Sequence, residues 1–220
     1  MNKIINIIEF IYNNGITGFA KESYLRLSDY CYEKYLNVDT KGMESKEDLK
    51  LTDPDWHEYA TVFYKHIFDA LNKLPVDRSE STLLDYGCGK GRFLIAAATC
   101  PYKKIIGVEL SSLIDLAKKN LDRMKNKNTS LIRLERCNAI NFPVPLDVNI
   151  IYFFNPFRGS VLESVVNNIR ASYDYAPRKI YIIYFNNDHF DELIADHDWL
   201  SKISQSEVHR RISCGIYETR

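Results

Sequence analysis

The sequence predicts an α/β fold: a mostly parallel sheet with helices on both faces, preceded by a helical N-terminal extension. Three observations carry this expectation. From Thr82 onward, short apolar runs alternate with helix-compatible stretches. One run, Leu83-Leu84-Asp85-Tyr86, ends beside an acid and opens into Gly87-Cys88-Gly89-Lys90-Gly91, with a glycine at every second position before the apolar stretch Phe93 to Ala98. That is a strand, a tight turn and a helix N-terminus. Glycine serves there because the turn needs positive φ and because a ligand must approach bare backbone. Finally, Ile150-Ile151-Tyr152-Phe153-Phe154 is apolar at every position. A strand of that kind is buried on both faces, as in a parallel sheet covered by helices.

The elements follow in order. Ile4, Ile5, Ile7, Ile8 and Ile11 suit one helix face over residues 3–13, and Asn13-Asn14-Gly15 stops it. A second helix spans 20–36. Residues 37–51 are polar and form a loop. Asp53-Pro54-Asp55 combines a capping acid with proline in a first turn, which predicts a helix over 54–74 ending before Pro75. The sheet region then predicts strands at 82–86, 104–109, 130–136, 148–154 and 179–185. Helices are expected at 91–99, 111–125, 160–174 and 189–197. Residues 202–218 alternate without an intervening helix, as two antiparallel strands do. Residues 1–80 thus form a helical cap and residues 81–220 the sheet domain.

Composition narrows the class. A chain of 220 residues with 45% hydrophobic content holds one large domain, or one domain and an extension. Lys+Arg and Asp+Glu both number 29, so no global field draws the chain to nucleic acid or a membrane surface. The cluster Lys118, Lys119, Arg123, Lys125 and Lys127 fits a solvated helix end. Five scattered cysteines without a C-x-x-C pair indicate neither zinc nor a disulfide framework, and fit a reducing cytoplasm. The histidine spacings suggest no metal site. The N-terminus lacks the features of a signal peptide, and no run of 18 apolar residues predicts a membrane span.

The candidate chemistry lies at strand ends, where open α/β sheets bind ligands. Asp85 precedes the glycines. Glu109 closes the second strand 24 residues later, where an acid can accept both ribose hydroxyls of a nucleoside. Asn138 and Ala139 follow the third strand, and Asn155-Pro156-Phe157 closes the fourth. Arg158 either holds an anionic group or is simply exposed. Thr40 and Tyr59 lie in segments that precede the glycine loop.

The acid and glycine spacing resembles motif I of the class I S-adenosylmethionine-dependent methyltransferases, D/E-x-G-x-G-x-G. The nicotinamide fingerprint differs, with its third glycine one residue later. The resemblance implies a Rossmann-like methyltransferase fold with seven strands, closing in an antiparallel hairpin. It implies S-adenosyl-L-methionine as cofactor, held by Asp85, Gly87, Cys88, Gly89, Gly91 and Glu109, with Leu110, Asn138 and Ala139 at the adenine. Asn155, Pro156 and Phe157 resemble the (D/N/S)-P-P-(Y/F/W) element of methyltransferases acting on planar amines. There the Asn and proline oxygens accept the acceptor's N–H bonds, the aromatic ring stacks on it, and the Asn also borders the cofactor. The second proline is missing here and the aromatic arrives one position early. The methyl acceptor therefore stays open among a protein side chain, a nucleobase and a small molecule. A non-catalytic nucleoside-cofactor-binding interaction module is the competing expectation.

Overall fold

The computed structural model describes the backbone of residues 2–50, 52, 54–209 and 212–220. Within that set it describes side chains from residue 15 onward, apart from residue 209. Seven strands are present: β1 (Thr82–Tyr86), β2 (Lys104–Glu109), β3 (Ile132–Arg136), β4 (Val148–Phe154), β5 (Tyr181–Phe185), β6 (Leu200–His209) and β7 (Ile212–Thr219). Their order in the sheet is β3-β2-β1-β4-β5-β7-β6. The first five are mutually parallel, while β7 runs antiparallel to both β5 and β6. The helices are α1 (Asn2–Leu36), α2 (Tyr64–Leu71), α3 (Arg92–Ala98), α4 (Leu113–Arg123), α5 (Gly159–Tyr175) and α6 (Asp188–Ile194).

Strand alternation divides the interior into two layers. Leu83, Ile105, Ile150, Tyr152 and Ile183 face one core, with Leu36, Tyr64, Ile67 and Phe93 packed on them. Leu84, Ile106, Ile151, Phe153, Ile182 and Tyr184 face the other, covered by Val161, Leu162, Val165 and Ile169 of α5. An aromatic row crosses the strands in register at the end where the loops lie. Tyr86 stacks on Phe153 at 5.3 Å and Phe153 on Tyr184 at 5.0 Å between ring centroids.

The long helix α1 leaves helical geometry at Gly15, where φ is 70° and ψ is 171°, so the predicted stop falls inside an otherwise continuous element. The apolar face expected from Ile4 to Ile11 lies outside the described side chains. Further along, Glu22, Leu25, Asp29, Glu33 and Leu36 are buried at helical spacing and turn one face of α1 toward the body. Among the described residues no helix is long and apolar enough to cross a membrane.

The helix predicted over 54–74 requires correction. Only Tyr64–Leu71 is helical, and the proposed cap Asp53 lies outside the described residues. Residues 54–63 instead form an extended strap, bridged antiparallel to Glu44 through Tyr59 and to Phe157 through Trp56. The aromatic and β-branched residues Trp56, Tyr59, Thr61, Val62 and Phe63 suit an extended, half-buried chain better than a helix. Backbone pairing with the turn after β4 then decides the outcome. α2 receives its cap from far away: the Asp29 carboxylate accepts the Tyr64 N–H at 3.1 Å.

Candidate active site

The strand order reverses between β1 and β4, so the crevice of an open α/β sheet lies where these two strands end. The glycine loop follows β1, with φ of +74° at Gly87, +52° at Gly89 and +85° at Gly91. Gly91 opens α3. A Cβ on Gly87 would sit 2.6 Å from Cβ of Pro156, because the two loops meet there. Substituting Gly87 with alanine adds left-handed strain to that clash. The Gly87→Ala protein is expected to lose about 1–3 kcal/mol of stability. Thermal unfolding checks this, and an unchanged melting temperature would refute the close approach of the two loops.

Two acids flank the loop. Glu109, 9% exposed, accepts the Gly89 N–H at 2.9 Å on Oε2 and the Ser111 N–H at 2.8 Å on Oε1. Each of its oxygens keeps a free lone pair. Asp85 is 2% exposed, and burial, with the Glu109 charge adding to it, pushes its carboxyl well above the usual carboxylate range. The same burial, with the charges of Asp85 and Glu109, raises the Cys88 thiol. Cys88 is therefore a protonated wall residue rather than a nucleophile. On the β2–β3 side, Leu110 is half-buried against the core and Ala139 is buried. Asn138 Oδ1 accepts the Ile140 N–H at 3.1 Å, opening a short turn of 3-10 helix and leaving one lone pair on that oxygen.

At the end of β4, Asn155 adopts φ of +40°, a conformation that asparagine tolerates better than most residues. Its Oδ1 is buried and has no hydrogen-bond partner. The Pro156 carbonyl already accepts the His57 N–H at 3.0 Å. The stacking role expected of Phe157 is corrected by its placement. The ring is fully buried, 5.4 Å from Trp56 and 6.1 Å from Phe153 between centroids, and closes the core rather than facing the crevice. The bridge to Trp56 turns it inward. The half-buried aromatic at the crevice is Phe154, one of the residues lining the two cavities beside the glycine loop.

The strap lies over this loop. The Tyr59 ring rests on Gly89, where an added Cβ would meet Cε2 at 2.2 Å. Its hydroxyl donates to the Thr40 carbonyl at 2.7 Å. Lys90 Nζ donates to the Lys41 carbonyl and to Glu44 Oε1, both at 2.8 Å, and lies 5.2 Å from the Tyr59 ring centre. Thr40 stands away from the site, its hydroxyl donating to Glu33 Oε1 at 2.6 Å. Two cavities remain beside the loop, of about 60 Å³ at Glu109 and about 30 Å³ at Asp85, both walled by Tyr59, Gly87 and Phe154. A larger groove of about 660 Å³ lies against the edge strand β3 and contains none of these residues.

A glycine loop at the switch point, an acid at the end of each neighbouring strand and a β7 inserted antiparallel define a nucleoside-cofactor-binding α/β enzyme domain. Residues 56–193 match the family model described as a methyltransferase domain, more than half of the chain, and the chain belongs to that family. It is an S-adenosylmethionine-dependent methyltransferase. No curated protein matches the sequence. Among solved structures, an S-adenosylmethionine-dependent methyltransferase from Aquifex aeolicus superposes with a TM-score of 0.53 at 14% identity, over 69% of this chain and 88% of that one. An RNA methyltransferase from Salinibacter ruber, in complex with S-adenosyl-L-homocysteine, gives 0.52 at 16% over 73% and 92%. A ribosomal protein L11 methylase from Lactobacillus delbrueckii subsp. bulgaricus gives 0.52 at 15% over 70% and 76%. At these identities the likeness is one of fold.

Proposed function

We propose that this methyltransferase binds its cofactor across the glycine loop between Asp85 and Glu109, and its methyl acceptor at the Asn155-Pro156 turn. In this reading the free lone pairs of Glu109 take the ribose hydroxyls. Asp85 takes the ammonium, while Leu110, Asn138 and Ala139 border the adenine. The cofactor supplies a methyl group already activated on a sulfonium. What remains for the chain is orientation, which alone is worth up to roughly 7–11 kcal/mol. Asn155 Oδ1, buried and without a partner, accepts a hydrogen bond from the acceptor and stabilises positive charge as it develops there. That unsatisfied oxygen beside the glycine loop is the observation that carries the acceptor assignment.

The donor set suits the cofactor, but the space does not yet admit it. Ligand pockets of this kind hold about 300 Å³ or more, well beyond the two small cavities flanking Tyr59. Entry therefore requires the strap to lift from Gly89. We place the enzyme in the cytoplasm and residues 1–80 as a cap over the sheet domain. The acceptor stays open at the level of molecule: the RNA and ribosomal-protein methylases among the structural neighbours share the fold and differ in acceptor.

Calorimetric titration with S-adenosylhomocysteine, with NAD as control, tests the cofactor site. Micromolar binding, about −8 kcal/mol, is expected for the sulfur nucleoside and none for NAD. Absence of binding would refute the assignment of the pocket.

A further inference from the structure

We propose that α1 docks this enzyme on an anionic phospholipid bilayer, with the outward face of the helix lying in the plane of the membrane surface.

The face of α1 turned away from the body is apolar. Ile16, Ala20, Tyr24, Leu27, Cys31 and Tyr35 recur three or four residues apart, and all are exposed. For the four large ones the exposure lies between 63% and 77%. At 3.6 residues per turn they stand opposite the buried row of Glu22, Leu25, Asp29, Glu33 and Leu36. The helix precedes the matched family region, residues 56–193, so the shared methyltransferase domain does not account for this second apolar face.

The chain carries 29 basic and 29 acidic residues, so attraction to a charged surface needs a local sorting of charge. α1 sorts it. From residue 15 onward each of its acids, Glu22, Asp29 and Glu33, is buried, and each of its bases, Lys21, Arg26 and Lys34, is exposed. The acids are held by cations: Asp29 and Glu33 pair with Arg92, Glu33 also with Lys41 at 3.2 Å, and Glu22 with Arg26 at 2.7 Å. Lys21 and Lys34 form no ion pair with a described residue. The cationic character continues past the end of the helix. The Lys125 N–H donates to the Leu36 carbonyl at 2.9 Å, and Asn37 Nδ2 to the Arg123 carbonyl at 3.2 Å, which joins the basic end of α4 to the end of α1. Two copies meeting through this face would set cations against cations, so charge disfavours self-association. An apolar stripe bordered by unpaired cations is instead the chemistry of helices that lie in the plane of an anionic bilayer. Ile16 and Leu27 suit the acyl boundary, and the tyrosines, each an apolar ring with a polar tip, suit the headgroup level. A bilayer asks for this linear sorting and needs no receiving pocket. Because no helix among the described residues is long and apolar enough to cross, α1 lies on the membrane rather than through it.

Co-sedimentation of the full chain with lipid vesicles at low ionic strength tests this. The protein is expected to sediment with vesicles of equimolar phosphatidylglycerol and phosphatidylcholine, and to bind phosphatidylcholine alone about tenfold more weakly or less. Leu27→Glu places a carboxylate in the middle of the stripe. Its melting curve should be unchanged, because the side chain is exposed, while binding to the anionic vesicles falls by about tenfold or more. Lys21→Gln combined with Lys34→Gln is expected to weaken binding to the anionic vesicles and leave that to phosphatidylcholine as it was. Leu131→Glu, at an exposed leucine beside the edge strand β3, is the control and should bind like the native protein. No sedimentation with the anionic vesicles, equal binding to phosphatidylcholine alone, or a loss no larger for Leu27→Glu than for Leu131→Glu overturns the proposal.

Discussion

Replacing Asp85 by asparagine is expected to make the protein more stable and to cripple cofactor binding. The carboxyl is buried at the end of β1, and burial followed by the Glu109 charge raises its pKa well above the ordinary value. A folded-state pKa above the unfolded one means that folding favours the protonated form. Its stabilising contribution is complete below the unfolded value, near pH 4, and is lost as pH rises through the folded value. At neutral pH the carboxylate is thus a liability worth about 1.4 kcal/mol for each pH unit of elevation. Asparagine removes it, and the melting temperature should rise by roughly 2–4 °C for each kcal/mol regained. In the proposed binding mode the ammonium of the cofactor offsets the same cost in the native enzyme. Losing that pair should cost about 2–5 kcal/mol of binding, a weakening of roughly 30-fold or more. Binding to the native protein should also release protons, seen as a dependence of calorimetric heat on the buffer's ionisation enthalpy. The variant should show none. Destabilisation together with undiminished S-adenosylhomocysteine affinity would sink this account of Asp85.

The second large effect is expected at Arg92, the first residue of α3. The residue is 6% exposed. It pairs with Asp29 and, at 3.3 Å, with Glu33 of α1, and lies 4.5 Å from the Tyr64 ring centre. Glu33 in turn accepts the Thr40 N–H at 2.9 Å, and Asp29 caps α2. One cation thus joins α1, the loop after it, α2 and the helix that follows the glycines. Arg92→Met keeps most of the volume and removes the charge, leaving buried Asp29 without its cation and Glu33 with Lys41 alone, at 3.2 Å. The loss should be about 3–5 kcal/mol. That corresponds to a melting temperature lower by about 6–20 °C. The pH dependence separates charge from packing. Asp29, whose pKa burial already raises, would be raised further without the arginine, so the deficit grows as pH rises and should be smaller at pH 5 than at pH 8. An equal deficit at both values would assign the effect to packing alone.

Much of the sheet could be read in the sequence because its signals are local. Leu83 to Phe93 carries strand, turn and helix start within one short stretch, and Ile150 to Phe154 announces its double burial by composition. What escaped is non-local. The strap at 54–63 carries the acid and proline of a helix start, yet pairs with residues about a hundred positions away. Asp29 caps a helix that begins 35 residues after it. The Asn-Pro-Phe element showed its residue types without their directions: Asn155 Oδ1 is left unsatisfied at the turn, whereas Trp56 draws Phe157 into the core.

The sheet order has a further consequence for how the chain is made. β7 follows β6 in the sequence but lies between β6 and β5. While residues 212–219 are still inside the ribosome, β5 has no neighbour on one side, and its five residues, Tyr181 to Phe185, are all destined for burial. An emerging chain therefore presents an open apolar strand edge, the kind that pairs with other chains, until β7 arrives to fill the gap. The interval of greatest exposure to aggregation falls late in synthesis, after the residues proposed to hold the cofactor have already emerged.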